Sequence, residues 1–362
     1  MSSETSRTGW REIAAAVGMF ALGFVVTAGL IHAGIRDAFH LHADFRSEKL
    51  LLLDQWSGKA FTASFGSSHM HEGFDPRSFD RMMAGGPDET KTVNLAIAGG
   101  SQTEQRLTAL EFLKHLQAPP AEDGTSGPKA CMVILELAAG ANFGSDFLVH
   151  PRTINIYNWD TTRFVMRLSS PQMPRSQRAG RVGFALLAMG MNSINLGMLS
   201  SMIFPAPLDT ARMGIETRDD RRGLLSLENH VSDRQRIEKF VDDSPKQPTM
   251  AQGMILAGNR ELVDELEAAS PVRNLEVVYT VLPKLSDLSE ETEYPDSIET
   301  EHGPTPVLNL ARPDLYPQFY QPKMWDDEAH LNEQGAGLVT KQLAENLKTW
   351  NAAHGEPRRC VR

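Results

Sequence analysis

Four short apolar segments, at 60–65, 93–97, 131–137 and 275–282, read as buried strands, because each is brief and most end in Gly, Ser, Asn or Pro. Between them, 106–116 and 261–269 carry apolar residues at helical spacing. Strands that alternate with helices make a parallel sheet covered on both faces, so the expected fold is a three-layer α/β/α domain. In such sheets ligands bind at the carboxyl ends of the strands, and the residues just past each strand are where chemistry is to be sought. The alternation breaks between 151 and 249, a region rich in Arg and Met that reads as a helical insertion. From 284 to 304, seven acidic residues in a stretch poor in apolar side chains suggest an exposed loop.

A second feature lies ahead of the first strand. Residues 13–31 are nineteen consecutive uncharged, mostly apolar positions. As a helix rising about 1.5 Å per residue they would span the hydrocarbon core of a bilayer, about 30 Å thick. Arg7 and Arg11 precede the run, which favours an N-in orientation with the rest of the chain outside the cytoplasm. A cleaved signal peptide is the competing reading, but its shorter apolar core and small-residue cleavage site are not clear here. The expected organisation is a cytoplasmic N-terminus (1–12), a transmembrane anchor (13–35) and a helical stalk (36–59). Two halves of one domain follow (60–150 and 250–350) around the insertion (151–249), with a tail at 351–362.

Composition excludes several classes. The mean hydropathy of −0.31 is too low for a multi-span membrane protein. A net charge of −10 with scattered Lys and Arg argues against nucleic acid as a partner, since phosphate neutralisation needs a basic face. Two cysteines, Cys131 and Cys360, cannot build a disulfide framework or a Cys-rich zinc site. Cys131 reads as a buried apolar residue and Cys360 as an exposed thiol without a partner. His69 with His71, and His40 with His42, have metal-like spacing but no third ligand nearby, so no metal and no other cofactor is expected.

Two segments carry candidate chemistry. Past the first strand stands Gly66-Ser67-Ser68, where a glycine permits a tight turn and a serine hydroxyl projects into the ligand crevice at a helix N-terminus. Near the other end, Asp327 and His330 stand three apart in a loop that opens a helical pattern at 338–347. At that spacing the carboxylate can hydrogen-bond the imidazole and fix its tautomer, giving a base with its orienting group. His71, close to the serine in sequence, is a candidate substrate contact.

Taken together, these ends resemble the SGNH (GDSL-like) hydrolase superfamily, in which the nucleophilic serine follows the first strand and Asp-x-x-His precedes the last helix. Two internal segments also match: Gly99 follows the second strand, and Gly140-Ala141-Asn142 follows the third as a Gly-x-Asn. The resemblance covers 60–142 and 275–347. Ser67 stands where the family most often has Asp or Asn, Ala96 where glycine is frequent, and Phe143 where an acidic residue is usual. Gly-Ser-Ser is similar to the variant in membrane-anchored members that move acyl groups on cell-surface polymers.

The resemblance implies an SGNH/flavodoxin-like sheet and a catalytic triad of Ser68, His330 and Asp327. The N–H groups of Ser68 and Gly99 and the side-chain amide of Asn142 would form the oxyanion hole. It further implies an esterase or O-acyltransferase acting on acyl esters, acetyl foremost, of a cell-surface glycan, with its catalytic domain on the periplasmic side of a bacterial inner membrane. An acylated polysaccharide or lipid substrate, the membrane itself and a membrane-bound acyltransferase are the implied partners. A lipase or thioesterase, and a non-catalytic anchored scaffold for polysaccharide modification, are the alternatives. A second uncharged run, 183–204, is long enough to span a membrane, but would then separate Ser68 from His330, so it is expected to be a packed or partner-facing helix.

Overall fold

A computed structural model gives the structure of the chain. It describes residues 10, 12–24, 26–27, 30, 47–84, 90–116, 130–137, 154–168, 175–193, 221–225, 237–238, 247–248, 253–288, 290–291 and 293–355. The chain divides into two compact units: one of 48–142, 170–174 and 208–362, and one of 1–47, 143–169 and 175–207.

The first unit holds a six-stranded, mostly parallel sheet, consistent with a three-layer α/β fold. In chain order its elements are α1 (Ser47–Trp56), β1 (Thr62–Phe65), α2 (Ser68–Gly73), α3 (Pro76–Met83), β2 (Thr92–Asn94), α4 (Gln102–His115) and β3 (Met132–Glu136). Two further helices, α5 (Trp159–Leu168) and α6 (Arg175–Ser193), belong to the second unit. The first unit resumes with α7 (Gly253–Ala269), β4 (Glu276–Val281), β5 (Ser297–Thr300), β6 (Gly303–Asn309) and α8 (Glu333–His354).

The strand order is β2-β1-β3-β4-β6-β5, with β5 alone antiparallel. β1 to β2 steps one way across the sheet and β2 to β3 steps back past β1. Right-handed crossovers therefore put α2 and α3 on one face and α4 on the other. The packing agrees, for α8 lies against α2 and α3, and α7 against α4. Arg106 of α4, fully buried, holds Glu265 of α7 through its Nε at 2.6 Å. The reversal of direction opens a crevice between the carboxyl ends of β1 and β3, the place where sheets of this kind bind ligands. Val339, Leu343 and Leu347, spaced four apart along one face of α8, share a core cluster with Met70, Phe74 and Phe79.

The acidic segment 284–304 is not simply a loop: it contains β5 and the start of β6. Pro304 and Pro306 hide this strand in the sequence, because proline cannot donate to a ladder. Val307 N–H donates to Asp296 O, on the β5 side, so the alternating nitrogens of Pro304 and Pro306 face the other way. There the pairing of β6 with β4 starts only at Val307, opposite Tyr279, and no donor is needed earlier.

The stalk is also corrected. Leu52, Leu53 and Trp56 of α1 are buried, and Lys49 donates to Gly223 O at 3.1 Å, so its described part packs into the domain. Part of the expected insertion does likewise: residues 221–225 are a non-helical turn whose Arg222 O accepts from Asn94 N–H and whose Leu225 N–H donates to His71 O. The tail begins later than 351, since α8 continues to His354.

In the second unit, α6 packs on α5 with Ala185, Ala188 and Asn192 buried, and Asn192 donates to Tyr157 O at 2.8 Å. That accounts for the first half of the 183–204 run; 194–204 lie outside the described residues. The N-terminal segment is helical where described, with Ile13, Val17, Phe20 and Phe24 exposed. Among the described residues no helix is long and apolar enough to cross a membrane, and the expected anchor, 13–35, lies partly outside them.

Candidate active site

Ser68 opens α2 three residues past β1. Ser67 is the N-cap, its Oγ accepting from His69 N–H at 3.3 Å, which turns the chain sharply from strand to helix. As the first helical residue, Ser68 has a backbone N–H with no intrahelical acceptor. Its Oγ lies 2.9 Å from His330 Nε2. On the other side of the ring, His330 Nδ1 lies 2.8 and 3.0 Å from the two oxygens of Asp327. A carboxylate only accepts, so Nδ1 carries the proton and Nε2 offers its lone pair to the Ser68 hydroxyl.

The Asp327–His330 loop is built locally. Asp327 Oδ1 also accepts the N–H groups of Ala329 and His330, each at 2.7 Å. An antiparallel bridge between Trp325 and Leu331 closes the loop, and Asp326 N–H donates to His330 O. Asn332 caps α8 by accepting from Gly335 N–H, while its amide donates to Lys323 O. Partial burial pushes the Asp327 carboxyl up, but hydrogen bonds from His330 and from Ala329 N–H outweigh it and hold the group below the usual carboxylate range.

The serine loop is fixed from beneath by a residue that the sequence reading passed over. Glu136, the last residue of β3 and buried, accepts Ser67 N–H at 2.5 Å and the Ser67 hydroxyl at 3.0 Å. Gln105 of α4 ties this floor together, its amide donating to Phe65 O and Glu136 O. Gly66 is required by contact: a Cβ there would strike the Glu136 carboxylate and stand 2.7 Å from the Cβ atoms of Glu136 and Met70. Asn94 holds the other end of α2, its amide donating to Met70 O and Phe74 O at 2.9 and 3.0 Å. A Glu ending the otherwise apolar β3, and an Asn ending β2, were the available signals.

Gly99 lies in the turn past β2 with φ of 63°, a conformation glycine adopts without strain. The next residue, Gly100, packs directly on the Gly66–Ser68 turn, where a Cβ would stand 2.6 Å from Gly66 O. Asn142 lies outside the described residues. Of the two nearby histidines, His71 is buried at 3% exposure, while His69 stacks on the His330 ring at 5.4 Å. Its burial leaves His71 away from the crevice, so the expected contact there is not supported, and His69 is the histidine that lies against His330. Among the described residues no group of three His, Cys, Asp or Glu side chains is placed to hold a metal ion.

Cys131 is disulfide-bonded, which corrects the reading of an isolated buried thiol. The chain has one other cysteine, Cys360, itself outside the described residues.

In comparisons with family models, curated proteins and solved structures, no match to this chain is found.

Proposed function

We propose that this chain is an SGNH-like serine esterase or O-acyltransferase, anchored by its N-terminal apolar segment, that works on acyl esters of an extracytoplasmic glycan. The observation that carries the reading is the hydrogen-bonded chain Ser68–His330–Asp327 at the carboxyl end of the sheet. Ser68 Oγ attacks the ester carbonyl while His330 Nε2 takes its proton, and Asp327 stabilises the imidazolium. The negative oxygen of the tetrahedral intermediate is held by the N–H groups of Ser68 and Gly99 and by the Asn142 amide. Collapse releases the alcohol, which receives the proton from His330, and leaves an acyl-Ser68 enzyme. A second hydroxyl, from water or a sugar, reverses these steps.

An exported location is supported by the nineteen-residue apolar run at 13–31 and by the disulfide at Cys131, since disulfides persist in oxidising compartments. The test is covalent labelling of the full chain in detergent micelles with a fluorophosphonate probe. Labelling of the wild type that disappears in Ser68→Ala and falls steeply in His330→Ala is expected; equal labelling of Ser68→Ala would sink the proposal.

A further inference from the structure

His69 stands beside the triad without belonging to it. It is the second residue of α2, and its ring lies nearly parallel to that of His330, with 5.4 Å between centroids and 24° between planes. Nδ1 is 2.9 Å from Ala329 O, on the loop that carries His330. A carbonyl oxygen only accepts, so Nδ1 must carry a proton and the ring is held in one tautomer if neutral. The opposite nitrogen, Nε2, is then an acceptor, and it has no hydrogen-bond partner among the described residues.

The ring is indeed kept neutral. Burial lowers its pKa to about 4, with the Lys284 cation past β4 and His330 acting in the same direction. Glu136 at the end of β3 and the bond to Ala329 O oppose this but do not prevail. Ser67 and Ser68 on its own element are uncharged, and Asp327 is turned toward the far nitrogen of His330. At neutral pH the crevice therefore contains two imidazoles with different duties: one bonded on both sides and able to carry a proton, and one clamped on one side with a lone pair on offer.

We propose that His69 Nε2 is the acceptor that orients the incoming acyl acceptor, by taking a hydrogen bond from a second hydroxyl next to the one His330 deprotonates, and so selects a vicinal diol such as a sugar ring presents. This rests on the acyl-transfer reading above. In the step concerned, His330 Nε2 removes the proton of the attacking hydroxyl, and that oxygen bonds to the acyl carbon of acyl-Ser68. The ester bond to Ser68 Oγ then breaks, and the serine oxygen recovers the proton from His330. His69 neither gains nor loses a proton. A simple alkanol has no second O–H for it to hold, and neither does the leaving group of a nitrophenyl ester.

The experiment uses the full chain in detergent micelles with nitrophenyl acetate as acyl donor and glycerol or 1-propanol as competing acceptor. Pre-steady-state nitrophenol release reads acylation, and the two acetate esters formed read acceptor choice. The wild type is expected to favour glycerol, and His69→Phe, which keeps a ring against His330, to lower the glycerol-to-propanol ratio about tenfold, the size of one hydrogen bond. The burst rate constant should fall by less than the transfer rate constant, and His69→Gln, which restores an acceptor, should recover part of the ratio. A ratio unchanged in His69→Phe overturns the proposal, as does an equal fall in burst and transfer, which would make His69 only a support for His330. Absence of any Ser68-dependent burst in the wild type overturns the acyl-transfer reading itself, so the two failures are distinguishable.

Discussion

Gly66→Ala is the substitution whose consequence the structure fixes most tightly. The new Cβ would collide with the Glu136 carboxylate and stand 2.7 Å from two other Cβ atoms, those of Glu136 and Met70. The carboxylate is not free to swing aside, because it holds both the N–H and the hydroxyl of Ser67, so moving it unfastens the turn. The two Cβ atoms are fixed to β3 and α2 and cannot rotate away. Carbon atoms rest about 3.5–4.0 Å apart, so the loop must shift by about 1 Å.

Overpacking of this kind costs about 1–3 kcal/mol in stability. The kinetic cost is larger, because a displacement of about 1 Å in a reacting group can reduce the rate about 10²-fold. We expect kcat/KM on nitrophenyl acetate and the rate of fluorophosphonate labelling to fall together by about that factor, with the melting temperature down several degrees. Gly337→Ala is the control: its Cβ would meet only Ser78 Oγ at 3.9 Å, within a helix where alanine is worth about 0.5–1 kcal/mol more than glycine. If Gly66→Ala retains wild-type labelling and melting, the steric account of the Gly66–Ser68 turn is wrong.

Further outcomes follow from the site and from the disulfide at Cys131. Asp327→Asn should preserve the fold but reduce kcat by about 10³–10⁴, since an amide allows the wrong imidazole tautomer; stopped-flow burst kinetics would show it, and near-normal turnover would refute the assignment. Glu136→Ala leaves the half-buried Ser67 N–H and hydroxyl without their acceptor, at a cost of about 1 kcal/mol, whereas Glu136→Gln keeps an oxygen for them and should lose less in urea titration. His69 has a folded pKa of about 4 against 6.5 unfolded. The unfolded chain therefore binds the extra proton first, and stability should drop as pH falls from 6.5 to 4, with a shallower drop in His69→Phe. The Asp327 carboxyl, held below its ordinary value, contributes stability above the usual carboxylate range and loses it only at lower pH. Cys131→Ser should cost about 2–5 kcal/mol by loss of the disulfide, and mass spectrometry of a non-reduced digest should find the Cys131 and Cys360 peptides joined.

Much of the fold was legible because its signals are local. A four-residue apolar strand, a Ser N-cap and a capping Asn each depend on neighbours a few positions away, and β1, β3, β4, α4 and α7 all fall where the pattern places them. The Asp327–His330 pair was readable for the same reason, since both ends of that hydrogen bond sit in one short loop. β5 and β6 were not readable: the acidic residues argued for solvent, and two prolines argued against a strand. Only the late start of pairing with β4 makes those prolines harmless.

The sequence by itself determined which side chains could do chemistry and which elements would carry them. The tertiary structure decided which of them meet. Ser68 and His330 are 262 positions apart and touch because the strand order reverses at β1 and leaves a crevice over which the loop before α8 closes. The same reversal puts Glu136 under Ser67, 69 positions away. It was also tertiary packing, not spacing, that chose between two histidines of one helical turn, burying His71 and laying His69 against His330. Periodicity and capping are written over a few residues, whereas convergence depends on how whole strands are ordered, and that order is set by the summed burial of the entire core.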